Sequence, residues 1–277
     1  MSDELDLDTG SALATRLRRL TPARVGLART GVSLATRELL DFERCRAQAR
    51  DAVQGRLEAA ALAGALAQMT KTLFAGTEVL RLHSAAPDRA TYMQRPDLGR
   101  RLDQPSRELL AAKPAAEDVQ ESIAIIVVDG LSALAVERHA LPLIAELLPR
   151  LEAFRLAPIC VVEQGRVAIG DEIGLALGAE ISVVLIGERP GLSSPDSLGA
   201  YITWEPRPGR TDAERNCISN IRAEGLSYAQ AAAQLGYYLT EARRRRLTGI
   251  ALKEQAALEL TDVTRTAELP ELGLKED

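Results

Sequence analysis

Aromatic residues are scarce in this chain: Phe, Trp and Tyr make up 3% of its 277 residues. Cores of β-sandwiches lean on such rings, so their scarcity beside abundant alanine and leucine favours helices packed on a sheet. Cysteine is also sparse. Cys45, Cys160 and Cys217 are far apart and odd in number, with no CxxC pair that could clamp zinc, which suits a reducing cytosol. No apolar run approaches the roughly 20 residues needed to cross a bilayer, and the start, MSDELDLDTG, is acidic where a secretory signal would be basic. A soluble, cytoplasmic protein is expected. Cationic excess is missing too: the net charge is −5, whereas a general nucleic-acid binder needs an electropositive surface to neutralise phosphates. A local basic patch stays open.

What is present is apolar content of 46%, enough for a substantial core in one large domain or two modest ones. The N-terminal arm, residues 1–30, pairs an acidic head with Leu13, Leu17 and Leu20, a helically spaced stripe beside Arg16, Arg18 and Arg19. Such an arm either docks on a partner or frays. Residues 31–115 read as a helical subdomain with a linker. Thr36 is a plausible N-cap for a helix reaching Met69, which Gly55 or Gly64 divides. Four prolines among many charges then mark residues 84–117 as a long connection with short helices.

Beyond a boundary near residue 115, over 116–255, the signal changes to short apolar runs: IAIIVV (123–128), ICVV (159–162), ISVVLI (181–186) and AYITW (200–204). Most lack the alternation of a sheet with one wet face, as expected of parallel strands covered on both sides. Helical stretches lie between them, and Thr211 with Glu214 is spaced as a capping box after the fourth. The third connection is short, about the minimum for a parallel crossover. The expected fold is α/β, a doubly wound, mostly parallel sheet with an N-terminal helical subdomain. A last helix starts near Ser227, with Gln230 completing a second capping box, and ends in Arg243 to Arg246, where cations suit the helix dipole or a neighbouring subunit. Residues 256–277 read as a C-terminal tail.

Ligands of open α/β sheets bind beyond the carboxyl ends of the strands. Here those ends carry Asp129, Gly130 and Ser132; Glu163, Gln164, Gly165, Arg166 and Val167; Glu188, Arg189, Ser193, Ser194 and Asp196; and Arg207, Arg210, Asn216, Cys217 and Asn220. Four loops together would make one polar rim. Gly187 and Gly191 would let backbone approach a ligand while Pro190 and Pro195 hold the loop in one shape. The alternative for any one loop is a well-made turn facing water.

The obvious chemistries fail against this rim. GxGxxG does not follow the first strand, GxxxxGK[ST] is absent, and GLSSPD is no nucleophile elbow. His83 and His139 sit at no strand end and read as structural. Cys217 is either a buried, inert thiol or a ligand contact. The rim offers polar groups for binding without a recognisable acid, base or nucleophile, so no catalytic residue and no metal ligand is assigned. From these residues alone a free-standing α/β nucleotide- or metabolite-binding protein stays open, as does a purely structural scaffold.

Longer strings narrow this. TPARVGLARTGVSLATRELLDF, LHSAAPDRATYMQRPDLGRRL, EQGRVAIGDEIG, VVLIGERPGLSSPDSLGAYITW and PRPGRTDAERNCISNIR, spread across most of residues 21–250, closely resemble the small subunit of ethanolamine ammonia-lyase. That enzyme depends on adenosylcobalamin and turns ethanolamine into acetaldehyde and ammonia. The resemblance implies a Rossmann-like cobalamin-binding domain over 116–255 and a large TIM-barrel partner subunit that supplies the acid, base and substrate contacts. Matched position by position, Val167 in QGRVAIG, Glu188 in IGERPG and Cys217 in RNCISN are the implied cobalamin contacts. Cobalamin enzymes that replace the lower base with histidine use a DxHxxG loop, and this chain has none, so the implied cofactor keeps its own dimethylbenzimidazole. Homolysis of the Co–C bond, hydrogen abstraction and loss of the amino group is the implied chemistry, with protein supplying orientation and shielding. Small subunits of this enzyme can carry an amphipathic leader into a bacterial microcompartment; residues 1–20 offer only the leucine stripe for that role.

Overall fold

A computed structural model describes residues 7–21, 23–73, 77–113 and 122–252. The acidic head of the arm, the expected boundary near residue 115 and the tail 256–277 lie outside them. The elements run α1 (Leu7–Leu20), β1 (Arg29–Thr30), β2 (Ser33–Leu34), α2 (Thr36–Gln54), α3 (Ala59–Leu73), β3 (Val79–His83), α4 (Arg89–Gln94), α5 (Gln104–Ala111), β4 (Ser122–Val128), α6 (Ala133–Leu147), β5 (Arg155–Leu156), β6 (Ile159–Glu163), α7 (Ile169–Ala176), β7 (Ile181–Gly187), β8 (Leu198–Trp204), β9 (Arg215–Ile221) and α8 (Tyr228–Arg245).

The fold is mixed α/β around a sheet of order β3-β6-β4-β7-β8-β9, with β5 pairing β4. Pairs β3–β6, β6–β4, β4–β5 and β4–β7 are parallel, so the sheet is mostly parallel. Its central strands are wholly buried because both faces are covered, as their unbroken β-branched runs require. Side chains alternate across β4. Ile123, Ile125 and Val127 face α3, α6 and α8 through Leu66, Leu143 and Leu239, while Ala124, Ile126 and Val128 face α5 and α7 through Leu110, Ile169 and Ile173.

The fourth apolar run departs from expectation. β8 and β9 are antiparallel, β8 pairing β7 with Val183 opposite Ile202. The connection after β7 holds too few residues to cross the sheet, so the chain turns back beside its own strand. The capping box at Thr211 and Glu214 forms, yet it caps one turn of 3₁₀ helix, Asp212–Glu214, and the chain then enters β9. Over β8 and β9 the inner face packs Leu198, Ala200, Ile202 and Ile218 against α8, and among the described residues no helix covers Tyr201, Cys217 and Ser219 on the other.

Elsewhere the helices follow their caps. Gly55 separates α2 from α3, and Thr36 is the first helical residue after Ala35, which makes no side-chain cap. Asp88, Asp103, Ser132 and Ser227 each accept an amide hydrogen bond at the starts of α4, α5, α6 and α8. Ala231, Leu235, Leu239 and Ala242 form the buried stripe of α8. Its basic end is engaged locally: Arg244 and Arg245 pair with Glu241, and Arg243 stacks on Phe154. Helix α1 forms, and Leu13, Leu17 and Leu20 stand exposed on it. Among the described residues no helix is long and apolar enough to cross a membrane.

Candidate functional site

Strands β4, β6 and β7 end at one edge, and β4 leads to α6 on one face while β6 leads to α7 on the other. Their diverging loops open a crevice there. Gly130 follows β4 in a left-handed conformation (φ 58°), and a Cβ on it would lie 2.3 Å from the Gly187 carbonyl oxygen. Leu131 donates its amide to that same oxygen at 2.9 Å. The freedom of these two glycines therefore knits the β4 and β7 loops together, which is a tighter use than approach to a ligand.

Beneath the crevice lies a buried polar knot. Arg89 of α4, 5% exposed, donates from Nε to Val53 O at 2.8 Å and from Nη1 to Gly130 O at 2.8 Å, and reaches Gln164 Oε1 at 3.4 Å. Its Nη1 is 3.6 Å from Asp129 Oδ2. Gly165 donates its amide to Asp129 at 3.2 Å, and Tyr92 donates its hydroxyl to Gly165 O at 2.9 Å. Burial pushes the Asp129 carboxyl up to about 6, against the pull of the Gln164 and Gly165 amides and of Arg89. This knot ties α4 to the loops after β4 and β6. Neither Arg89 nor Tyr92 is visible as a site residue in sequence, because each acts on loops some 40 to 75 positions away.

Two adjoining clefts lie over the knot. One, of about 400 Å³, is lined by Tyr92, Gly130, Arg166, Val167, Glu188 and Tyr201 among others. The second, of about 500 Å³, runs over the uncovered face of β8 and is lined by Arg100, Arg166, Val167, Tyr201, Arg210 and Asp212 among others. Val167 and Tyr201 belong to both. Glu188 folds back on the sheet edge, its Oε2 accepting the Ser197 hydroxyl and, at 3.2 Å, the Asn220 amide. Cys217 lines neither cleft. It stands exposed on β9 directly across from Tyr201, its Sγ 3.2 Å from Ser219 Oγ. Burial raises the Tyr201 hydroxyl, and Cys217 beside it raises it further. The three residues singled out in sequence thus border one continuous open surface, with Tyr201, unmarked by any motif, at its centre.

The remaining rim residues scatter. Because β8 runs backwards, Trp204 ends at the opposite edge of the sheet, and Arg207 lines a separate cleft there with Glu180 and Leu175. Only the following turn brings Arg210 up over the face. Ser132 caps α6, and Asn216 is buried against the Gly249 backbone. Asp196 anchors the β7–β8 loop to α6, accepting from Arg138 Nη1 at 2.8 Å with His139 Nε2 at 3.3 Å. His139 Nδ1 is 2.8 Å from the Tyr228 hydroxyl. His83 Nδ1 is 2.7 Å from Ser84 O. Neither histidine reaches the clefts, and among the described residues no group of three or more His, Cys, Asp or Glu side chains is placed to hold a metal ion.

Residues 12–253 match the family model described as "Ethanolamine ammonia-lyase light chain (EutC)". The chain is 56% identical over 248 residues to the ethanolamine ammonia-lyase small subunit of Pseudomonas aeruginosa (strain LESB58), covering 89% of each chain. It is 54% identical over 271 residues to that of Ralstonia nicotianae, covering 96% of this chain and 98% of the relative. With the small subunit of Azotobacter vinelandii it shares 57% identity over 249 residues, 89% of this chain and 90% of that one.

Proposed function

Because the chain belongs to the ethanolamine ammonia-lyase light-chain family, as a small subunit of that lyase, we propose that its joined clefts form one jaw of an adenosylcobalamin site. The large subunit, a TIM barrel in this reading, closes the other jaw and supplies the substrate site. Parallel strands β4, β6 and β7 then form the core of a Rossmann-like cobalamin-binding domain over 116–255, and the helical subdomain 31–115 packs against it and lends its sheet the edge strand β3.

The residues fit such a group. The face over β8 and β9 leaves Cys217 and Ser219 exposed and Tyr201 half-buried, as one side of a broad ring requires, and no helix among the described residues lies on it. Arg166, at the junction of the two clefts, carries a buried Nε without a partner among the described residues. Val167 offers an apolar edge, Glu188 a carboxylate already held by two donors, and Cys217 an exposed thiol. The held carboxylate is suited to orienting an amide or hydroxyl donor on the ligand. Cobalt–carbon homolysis and hydrogen abstraction are what the cofactor supplies when bound. This chain binds and orients the cofactor, and its wall of Tyr92, Val167 and Tyr201 excludes water.

The observation that carries the reading is the convergence of Val167 and Glu188, from two separate connections, and Cys217, from strand β9, on one surface that holds no acid, base and nucleophile set. Co-expression tests it. Deamination of ethanolamine requires this chain, the large subunit and adenosylcobalamin together, and a red corrinoid copurifies with the two-subunit complex. Full activity of the large subunit alone would refute the reading. In the same complex Glu188→Ala weakens the apparent affinity for the cofactor; an unchanged affinity favours a purely structural role for this chain. The exposed leucines of α1 leave it available as a microcompartment leader, and removal of residues 1–20 would then leave the complex active but unencapsulated in the cytoplasm.

A further inference from the structure

The joined clefts gather cations that no carboxylate neutralises. Arg166 lines both, Arg100 lines the one over β8, and Arg189 lines the other. Within a chain of net charge −5 this runs against the average, and the neighbouring arginines show what ordinary pairing looks like. Arg210 is matched by Glu214 at 2.6 Å and Glu205 at 3.5 Å, and Arg215 by Asp171 at 2.6 Å. Among the described residues Arg100, Arg166 and Arg189 have no carboxylate within reach. The one acidic side chain beside Arg100 and Arg166 in the second cleft, Asp212, is 94% exposed and leans toward Arg215 at 3.7 Å.

Arg166 is held in place by groups that leave its charge intact. Its amide donates to Gly99 O at 2.7 Å, its guanidinium lies 4.2 Å from the centroid of the Tyr92 ring, and Nη2 donates to Tyr92 O at 3.3 Å. A Cβ on Gly99 would come within 2.9 Å of Arg166 Cγ, so the chain makes room for this side chain. Nε is buried and has no partner among the described residues. A ring face and a carbonyl fix the geometry of a guanidinium without cancelling its charge, and a buried donor left unmatched is costly until a ligand meets it.

The geometry points to an anion subsite in which a phosphate-type group of a bound ligand seats between Arg166 and Arg100, with Arg189 adding attraction from the adjoining cleft. The planar fork of a guanidinium matches two phosphate oxygens, which is why arginine suits this task. This inference rests on the cobalamin reading and deepens it, since cobalamin carries one phosphodiester, in its nucleotide loop, and that is the group these cations take. Free inorganic phosphate has the same chemistry, and the test separates the two.

Titrations of the complex between this chain and the large subunit, followed by visible absorption, compare cobalamin with cobinamide, which lacks the nucleotide loop. Arg100→Gln and Arg166→Gln each weaken cobalamin by about tenfold, or about 1.4 kcal/mol, and leave cobinamide affinity unchanged. Excess inorganic phosphate competes with cobalamin and not with cobinamide. The exposed position of Arg100 means its variant keeps the fold even should Arg166→Gln lose it. Wild-type affinity for cobalamin in Arg100→Gln and in folded Arg166→Gln, equal losses for both corrinoids, or phosphate binding that leaves cobalamin affinity unaltered would each overturn the subsite and leave the cofactor reading standing. Failure of the wild-type complex to bind either corrinoid would bring down both.

Discussion

Arg215 and Asp171 face each other as a buried fork, Nη1 to Oδ1 and Nη2 to Oδ2 at 2.6 Å each, with both side chains 2% exposed. Arg215 also donates to Thr203 Oγ1 at 2.8 Å and to Arg210 O at 3.0 Å. The pair joins the first turn of α7 to the start of β9 and so fixes the open face of β8 and β9 against the loop that carries Val167.

Removing one member leaves the other as an uncompensated buried charge. Arg215→Gln lowers unfolding free energy by about 3 kcal/mol or more, read from the urea midpoint of the full chain. The double variant Arg215→Met with Asp171→Leu recovers most of that loss, because a well-packed apolar pair avoids the desolvation of both ions. A single variant within about 0.5 kcal/mol of wild type would show that the fork is not what joins these elements.

Gly130→Ala places a Cβ where the Gly187 carbonyl oxygen stands, on a residue already at φ 58°. The left-handed conformation costs a non-glycine residue about 1 kcal/mol, and the clash adds to it. A total loss of about 2 kcal/mol or more is expected, together with weaker corrinoid binding, since the two loops it separates line the first cleft. Thermal denaturation of the variant checks the first, and absorption titration of its complex the second.

Much of this arrangement is legible in sequence, for local reasons. The runs 123–128 and 181–186 are β-branched and unbroken, so they become central buried strands, and Ser132 and Ser227 start the helices that their positions announce. Direction is harder to read. AYITW gives no local sign that it runs antiparallel; only the length of the preceding connection limits it, and that length sat at the margin of both topologies. β3 escaped because VLRLH alternates weakly and its partner, β6, is 80 residues on. At the site, Val167 and Glu188 lie in loops that sequence marks as strand ends, whereas Arg89, Tyr92 and Tyr201 earn their places through long-range contacts.

Asp129 gives the site a pH signature. Its folded carboxyl titrates near 6 against an ordinary value of 3.8. The native state therefore holds the proton more tightly than the unfolded chain does. This contribution to stability is fully present below about pH 4 and is lost as pH rises through about 6, on the order of 3 kcal/mol in all. Asp129→Asn removes that dependence, so the difference in unfolding free energy between variant and wild type grows from pH 4 to 6 and is level above. Parallel pH profiles for the two proteins would mean that Asp129 ionises as an ordinary carboxylate.

The three cysteines supply a probe of where the partner and cofactor sit. Burial pushes the Cys160 thiol up to about 12 and it has no exposed surface, so it resists alkylation. Cys45 is half-buried and Cys217 exposed; Cys45→Ser therefore leaves Cys217 as the one thiol open to a maleimide in the folded chain. In the isolated subunit Cys217 labels readily. If the face of β8 and β9 lies against cobalamin, assembly with the large subunit slows this reaction, and adding the corrinoid slows it further, by at least about tenfold, because the Sγ beside Tyr201 is then covered. Mass spectrometry of the quenched reaction locates the adduct. Labelling at the same rate in the apo complex and the corrinoid-loaded complex would place the cofactor elsewhere, since the large subunit is present in both and only the corrinoid differs.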